Sequence, residues 1–458
     1  MRHASTATAR LPHGSPPSRD PLGSTRSVDR GLRRALQTAT SDHAEILWID
    51  QHTQRLGLGL DLDPWSPRRQ TVELRAIRGG RFGTFRLGHA SWSEIESGLR
   101  QASTAALAAP NGSHAFAPKE AVGRVRGFDK KLARFNEERV HDLLAAHRTE
   151  NDAVAVGWTD AQILLYNTNG LRLSQRVTSL QIVVRHGQGA GAGFASDATR
   201  RLDGIDVAAL FERARSRAGA STPDTAEVGA DQHLVLAPEA TAELVELLNH
   251  KAFSAEAYCQ GTSFLREHLG VQVFDRNLTL RDDGSDADGL PFPFDLEGRP
   301  KRPTVLVDRG TPRTPTLDSR SAVACGLKAT GHAVGPGEAY ALNLFMEPGE
   351  AAEVELLDKC DGGVWIGRIQ DVECFDPSRM LIRVRCRGVR RIRDGHLAGP
   401  LPDLIWEDSL LRIFSSFIGI GRTTARRLSR DRALGGICAP AVAIGTAQSL
   451  RPLGDGRP

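Results

Sequence analysis

Glu239, Glu243, Glu246 and His250 stand at i, i+4, i+7 and i+11, a spacing that puts three carboxylates and an imidazole on one stripe of a helix. These are the side chains that ligate divalent metals or move protons. Ala240, Leu244, Leu247, Leu248 and Ala252 form the opposite, apolar stripe. Taken alone, such a pattern reads as an amphipathic helix with a solvated polar face. The stretch opens with Pro238-Glu239-Ala240-Thr241-Ala242-Glu243. Proline suits the first helical position, and Glu239 suits the positive end of the helix dipole. A metal site needs lone pairs from imidazole, thiolate or carboxylate, and Pro238 offers none.

Other chemistry-bearing features are sparser. The six cysteines, Cys259, Cys325, Cys360, Cys374, Cys386 and Cys438, include no CxxC pair, and Met1 is followed by no apolar leader core. They read as six reduced, mostly buried thiols of a cytoplasmic protein. The GQGAGAG stretch at 187–193 is Gly-rich, but no GK[ST] helix start follows, so it reads as a turn rather than a phosphate loop. The net charge of +4 is small and spread along the chain, which argues against nucleic acid as the main partner. No apolar run approaches the ~20 residues of a membrane span. Hydrophobic residues are 40% and charged residues 25% of 458, ordinary for a globular chain long enough for two cores.

The elements that must position these residues follow from periodicity and turn chemistry. Residues 1–40 are Arg-, Ser-, Thr- and Pro-rich without hydrophobic periodicity and read as a disordered basic extension. A first domain, 41–220, opens with strands at 45–50, 71–77 and 81–87, the last two joined by Gly79-Gly80. Helices are expected at 93–108 and 129–148. A meander follows at 153–158, 162–166, 171–176 and 178–184, with Asn167-Thr168-Asn169-Gly170 as its turn. A helix at 206–218 and a linker at 221–231 precede the second domain, 232–445, which starts with a strand at 233–236 and the Pro238 helix. Residues 446–458 read as a flexible tail. The fold class is α+β in two domains: a mixed α/β sheet domain with a long helix and a β-meander, then a mostly β, barrel-like domain carrying the Pro238 helix.

Several segments of the second domain fall in a recognisable order: Gly261-Thr262-Ser263-Phe264-Leu265, Leu278 to Gly284, Pro293 to Pro300, Thr304 to Gly310, Leu317 to Ala322, Gly326 to Gly331 and Asn343 to Gly349. In order and spacing they resemble the TldD/PmbA family, also described as modulators of DNA gyrase and as TldD/TldE metalloproteases. Asn169-Gly170-Leu171 and the strands after it look like that family's N-terminal domain. The resemblance spans about residues 42 to 445.

In active TldD-type subunits of that family the helix begins His-Glu-x-x-x-His, and a cysteine near the C-terminus completes the zinc site. By this resemblance Pro238 stands at the first histidine position, Glu239 at the general-base position and Glu243 at the second histidine position. Cys438 falls near the third-ligand position. The resemblance therefore implies the PmbA/TldE-like branch, with no catalytic metal in this chain and a lapsed base at Glu239. It implies a peptide substrate, a dimer, and zinc in a TldD-type partner, with a second copy of this chain as the other pairing. Two departures stand out. Where the family carries a Gly/Ser-rich strand, this chain has the basic run Arg379 to Arg393; a second basic cluster spans Arg422 to Arg432. They leave open a contact for acidic peptide or nucleic acid, or a gyrase-associated role. A stand-alone hydrolase with a rewired site would draw on Cys259, Cys438 or His332.

Overall fold

The computed structural model describes residues 25–60, 64–112, 114–220, 228–229, 232–429 and 434–453. Most of the expected linker, the first 24 residues and the last five lie outside them.

Strands β1 (His43–Leu58), β2 (Arg68–Arg78), β3 (Arg81–Leu87), β4 (Asp152–Asn167), β5 (Arg172–His186) and β6 (Gly193–Thr199) form one antiparallel sheet in the order β3-β2-β1-β4-β5-β6. Alternation assigns its faces. Ile46 and Trp48 of β1 pack under helices, while Leu47 and Ile49 point to the second domain. The Gly79-Gly80 turn needs both glycines, at φ 57° and 75°. In the Asn167–Gly170 turn, the Asn167 carboxamide oxygen accepts the N–H groups of Asn169 and Leu171 at 3.0 and 3.2 Å.

Helices α1 (Thr25–Gln37) and α2 (Trp92–Ala108) cover one end of the sheet; α3 (Glu137–Ala145) and α4 (Val207–Ser216) cover the other. The disordered extension expected over residues 1–40 is thus corrected for its described part, 25–40: Val28, Leu32 and Ala35, at i, i+4 and i+7, are at most 1% exposed on the core, and the Tyr166 hydroxyl donates to Asp29 at 2.6 Å. The helix expected over 129–148 is broken, because Asn136 leaves helical φ/ψ and caps α3 through Arg139 N. The two strands expected at 153–158 and 162–166 are one, in unbroken register with β5.

In the second domain, β7 (His233–Leu236) lies between strands Val364–Asp376 and Gly436–Thr446. Helix α5 (Pro238–Ala252) packs its apolar stripe into the main core beside Phe253, Leu344 and Val442. Among the described residues the twelve-strand sheet has ends at Thr311–Pro312 and Ser449–Pro452; it is β-rich but does not close into a barrel. The expected flexible tail carries strand Ser449–Pro452, paired with Leu404–Ser409. Cys259 and Cys325 are joined in a disulfide and the other four cysteines are free, which corrects the reading of six reduced thiols. No helix among the described residues is long and apolar enough to cross a membrane.

Candidate functional site

Helix α5 starts where β7 ends. Ala237 N donates to Ile366 O at 2.9 Å, and Ala237 O accepts the N–H groups of Ala240 and Thr241 at 2.9 Å. Pro238 takes the first helical position, and no side chain caps the end. The polar stripe is not solvated, contrary to what periodicity alone suggests. Glu239 and Glu246 are only 9% and 5% exposed, because the stripe faces the first domain and the strand Phe417–Leu428.

Glu239 is held by Arg217, which follows α4. One guanidinium nitrogen of Arg217 lies 3.2 and 3.1 Å from the two carboxylate oxygens, and Ser196 N donates to Oε1 at 3.0 Å. Arg217 also pairs with Glu353 at 3.2 Å and sits 5.2 Å from the Trp365 ring centroid. Burial works against its charge, but Glu239 and then Glu353 raise its pKa. Both oxygens of the expected general base are therefore spent on joining the two domains.

Glu243 pairs with Arg427 at 3.2 Å. The same guanidinium reaches Glu246, which also accepts from Ser429 Oγ at 2.9 Å. Cys438 lies on strand Gly436–Thr446 opposite Arg426. It is 7% exposed, and burial pushes its thiol pKa up. Arg426 is itself engaged, donating to Asp197 at 3.0 and 2.6 Å.

These residues do not fit the zinc ion that the resemblance associates with this helix. Pro238 has no lone pair, guanidinium groups take Glu239, Glu243 and Glu246, and the thiol resists ionisation. Among the described residues no three His, Cys, Asp or Glu side chains converge as a metal would require.

Two hollows line the stripe and a third adjoins them. A cavity of about 570 Å³ is walled by Glu243, Glu246, His250 and Tyr340, with the His250 and Tyr340 rings stacked at 4.2 Å. A smaller one of about 160 Å³ touches Glu239, Glu243, Ser196, Arg368 and Arg427. A groove of about 720 Å³ runs from Arg427 across the sheet face of the first domain. Shared walls at Glu243 and Arg427 make them one trough between the domains.

The residues considered for a rewired hydrolase do not assemble. Cys259 is in the disulfide. His332 is 1% exposed, with Nδ1 2.9 Å from Thr330 Oγ1 and Nε2 3.2 Å from Asp282. The first basic cluster is largely compensated within the chain: Arg383 pairs with Glu407, Arg385 with Asp371 and Arg387 with Asp403, and Arg390 and Arg391 are buried. In the second, Arg426 and Arg427 are the paired residues just described; Arg430 and Arg432 lie outside the described residues. The sequence flagged Arg427 only as part of a basic run, and nothing in it singled out Arg217.

Residues 230–449 match the family model described as the PmbA/TldA metallopeptidase C-terminal domain. A metalloprotease of Methanothermobacter thermautotrophicus is 29% identical over 233 residues, 49% of this chain and 47% of that protein. An uncharacterized protein of Methanocaldococcus jannaschii is 27% identical over 214 residues, 45% of this chain and 51% of that protein. The chain spans about half the length of the curated relatives it matches. The crystal structure of TldE from Thermococcus kodakarensis superposes with TM-score 0.78 at 17% identity, over 93% of this chain and 99% of that one. A candidate modulator of a DNA gyrase from Thermotoga maritima gives 0.74 at 18% identity, over 92% and 100%. At such identities the structures show a shared fold.

Proposed function

The chain belongs to the TldD/PmbA family, and on that premise we propose that it is the zinc-less, non-catalytic subunit of a TldD/TldE-type metalloprotease acting on unfolded or small modified peptides. The observation that carries this is the pairing of Glu239 with Arg217 and of Glu243 with Arg427. The general-base position and the second ligand position both serve as ion-pair anchors. In this reading a TldD-type partner supplies the zinc and the activating glutamate. This chain supplies a wall of the peptide cavity, the trough over α5, and a dimer interface. Extended peptide would lie in that trough, held partly by backbone pairing.

Co-expression with a TldD-type partner tests the proposal. The two chains should co-purify, with about one zinc per pair bound by the partner and chelator-sensitive peptidase activity in the complex alone. A stoichiometric zinc in the isolated chain would overturn it. So would peptidase activity of the isolated chain that survives chelator and is lost in Cys438→Ala. Self-association without a partner would redirect it to a pair of identical copies.

A further inference from the structure

The groove across the first domain has a charge pattern that the peptide-binding reading leaves unused. Along β1 the side facing the second domain changes from apolar Leu47 and Ile49 to polar Gln51, Thr53 and Arg55. The register sets Arg69 of β2 beside Gln51, Thr159 of β4 beside Thr53 and Gly157 beside Arg55, so the polar half of this face is continuous. Arg55, Arg69, Arg86 and Arg427 line the groove of about 720 Å³.

Two of the four are neutralised: Arg86 by Glu73 at 2.8 Å and Arg427 by Glu243 at 3.2 Å. Arg68 points to the opposite face and pairs with Asp50. Arg55 and Arg69 have no carboxylate partner among the described residues. Both are exposed, and the Arg55 guanidinium stacks 4.9 Å from the Trp65 ring centroid. Such stacking holds the planar fork in place with its edge N–H groups free to donate. The groove thus presents two guanidinium groups without a carboxylate partner among the described residues, beside the neutral hydrogen-bonding side chains Gln51, Thr53 and Thr159.

We propose that this groove is a carboxylate subsite, in which Arg55 and Arg69 bind the C-terminal carboxylate or an acidic side chain of an extended peptide. The proposal rests on the peptide-binding reading and adds to it a preferred charge and direction. Arginine suits the role because its donors match the two carboxylate oxygens.

Fluorescence anisotropy of the full chain, alone and with its TldD-type partner, tests this with three labelled ten-residue peptides. One carries glutamates and a free C-terminus, one has the same residues with a C-terminal amide, and one is neutral and amidated. The Arg55→Ala/Arg69→Ala variant should weaken the first about tenfold or more and leave the neutral peptide unchanged. Arg69→Glu should go further and make the first peptide bind more weakly than the neutral one. Loss with the amide alone assigns the C-terminal carboxylate; loss only without glutamates assigns an acidic side chain. Both substitutions fall at exposed positions, and an unchanged unfolding curve checks the fold. Equal affinity for all three peptides, unaffected by the variants, would overturn the subsite while leaving peptide binding intact. Failure of every peptide to bind, in the complex as well, would overturn both.

Discussion

Arg217 brings one guanidinium nitrogen within 3.2 Å of both carboxylate oxygens of Glu239, in a setting where the two side chains are 4% and 10% exposed. The pair ties the chain just after α4 to the first turn of α5. Removing one member of such a pair leaves a charge with little solvent. Arg217→Met should therefore lower stability by roughly 3 kcal/mol, whereas Arg217→Met/Glu239→Leu should recover much of that loss. Chemical denaturation of both variants measures the difference. A double variant no more stable than the single one would show that Glu239 is stabilised chiefly by Ser196 and the helix end.

The second prediction concerns pH. One buried cation, Arg75, faces Glu73 at 2.7 Å and Glu45 at 2.7 Å, and Glu73 has Arg86 as a further partner. Burial raises the Glu45 pKa to about 7, against the opposing pull of Arg75. The folded state therefore holds a proton on Glu45 that the unfolded chain releases near 4.5. The associated stability is present below about 4.5 and is lost as pH rises through about 7. Glu45→Gln should remove this slope. Its stability relative to the parent should increase between those limits, by up to about 3 kcal/mol, and stay level above. Glu297, also raised to about 7 by burial, keeps the same sign of slope in the variant. Urea unfolding at several pH values reads the difference, and a difference independent of pH would refute the assignment.

Much of this architecture is legible in the sequence; what is not depends on distant contacts, on packing, or on a capping choice that periodicity does not show. The helix Pro238–Ala252 could be placed because its proline start and its apolar spacing are local signals. What its polar face touches could not, since Arg217 lies 22 residues before Glu239 and Arg427 lies 181 residues after Glu246. Helix α1 was missed because Val28, Leu32 and Ala35 are three apolar positions in an Arg-rich run, and so short a helix is stable only through its packing. The break at Asn136 is a capping choice that competes with an otherwise helical pattern.

The third prediction is a thiol count. Cys259 and Cys325 are bonded across a separation of 66 residues, while Cys360, Cys374, Cys386 and Cys438 are free. Alkylation of the denatured, unreduced protein should label four of the six cysteines, and prior reduction should expose two more. Mass spectrometry reads the shift directly. Cys259→Ser/Cys325→Ser should cost about 2–4 kcal/mol, because the link restricts a long loop of the unfolded chain. Six labelled cysteines without reduction would show that the pair is a dithiol.

The last prediction turns on Arg427, the cation at the centre of the trough. Its guanidinium reaches Glu243 and Glu246 together, and Glu246 is 5% exposed. In Arg427→Ala, Glu246 keeps Ser429 but loses the Arg427 guanidinium in a site that water barely enters. Loss of that adjacent positive charge should raise the carboxyl pKa of Glu246 in the folded state relative to the parent. Proton uptake offsets part of the cost at low pH, so the penalty of Arg427→Ala should be smallest near pH 4 and should grow toward neutrality by roughly 1–3 kcal/mol. Arg427→Ala/Glu246→Gln should abolish that growth. Zinc analysis of the same variants separates a structural role from a masked metal site. Pro238 still contributes no lone pair and the Cys438 thiol stays buried, so removing the arginine should not create zinc binding. A variant that gains a stoichiometric zinc would mean that Arg427 was excluding metal from a donor set the chain retains, and would reopen the question of catalysis by this subunit.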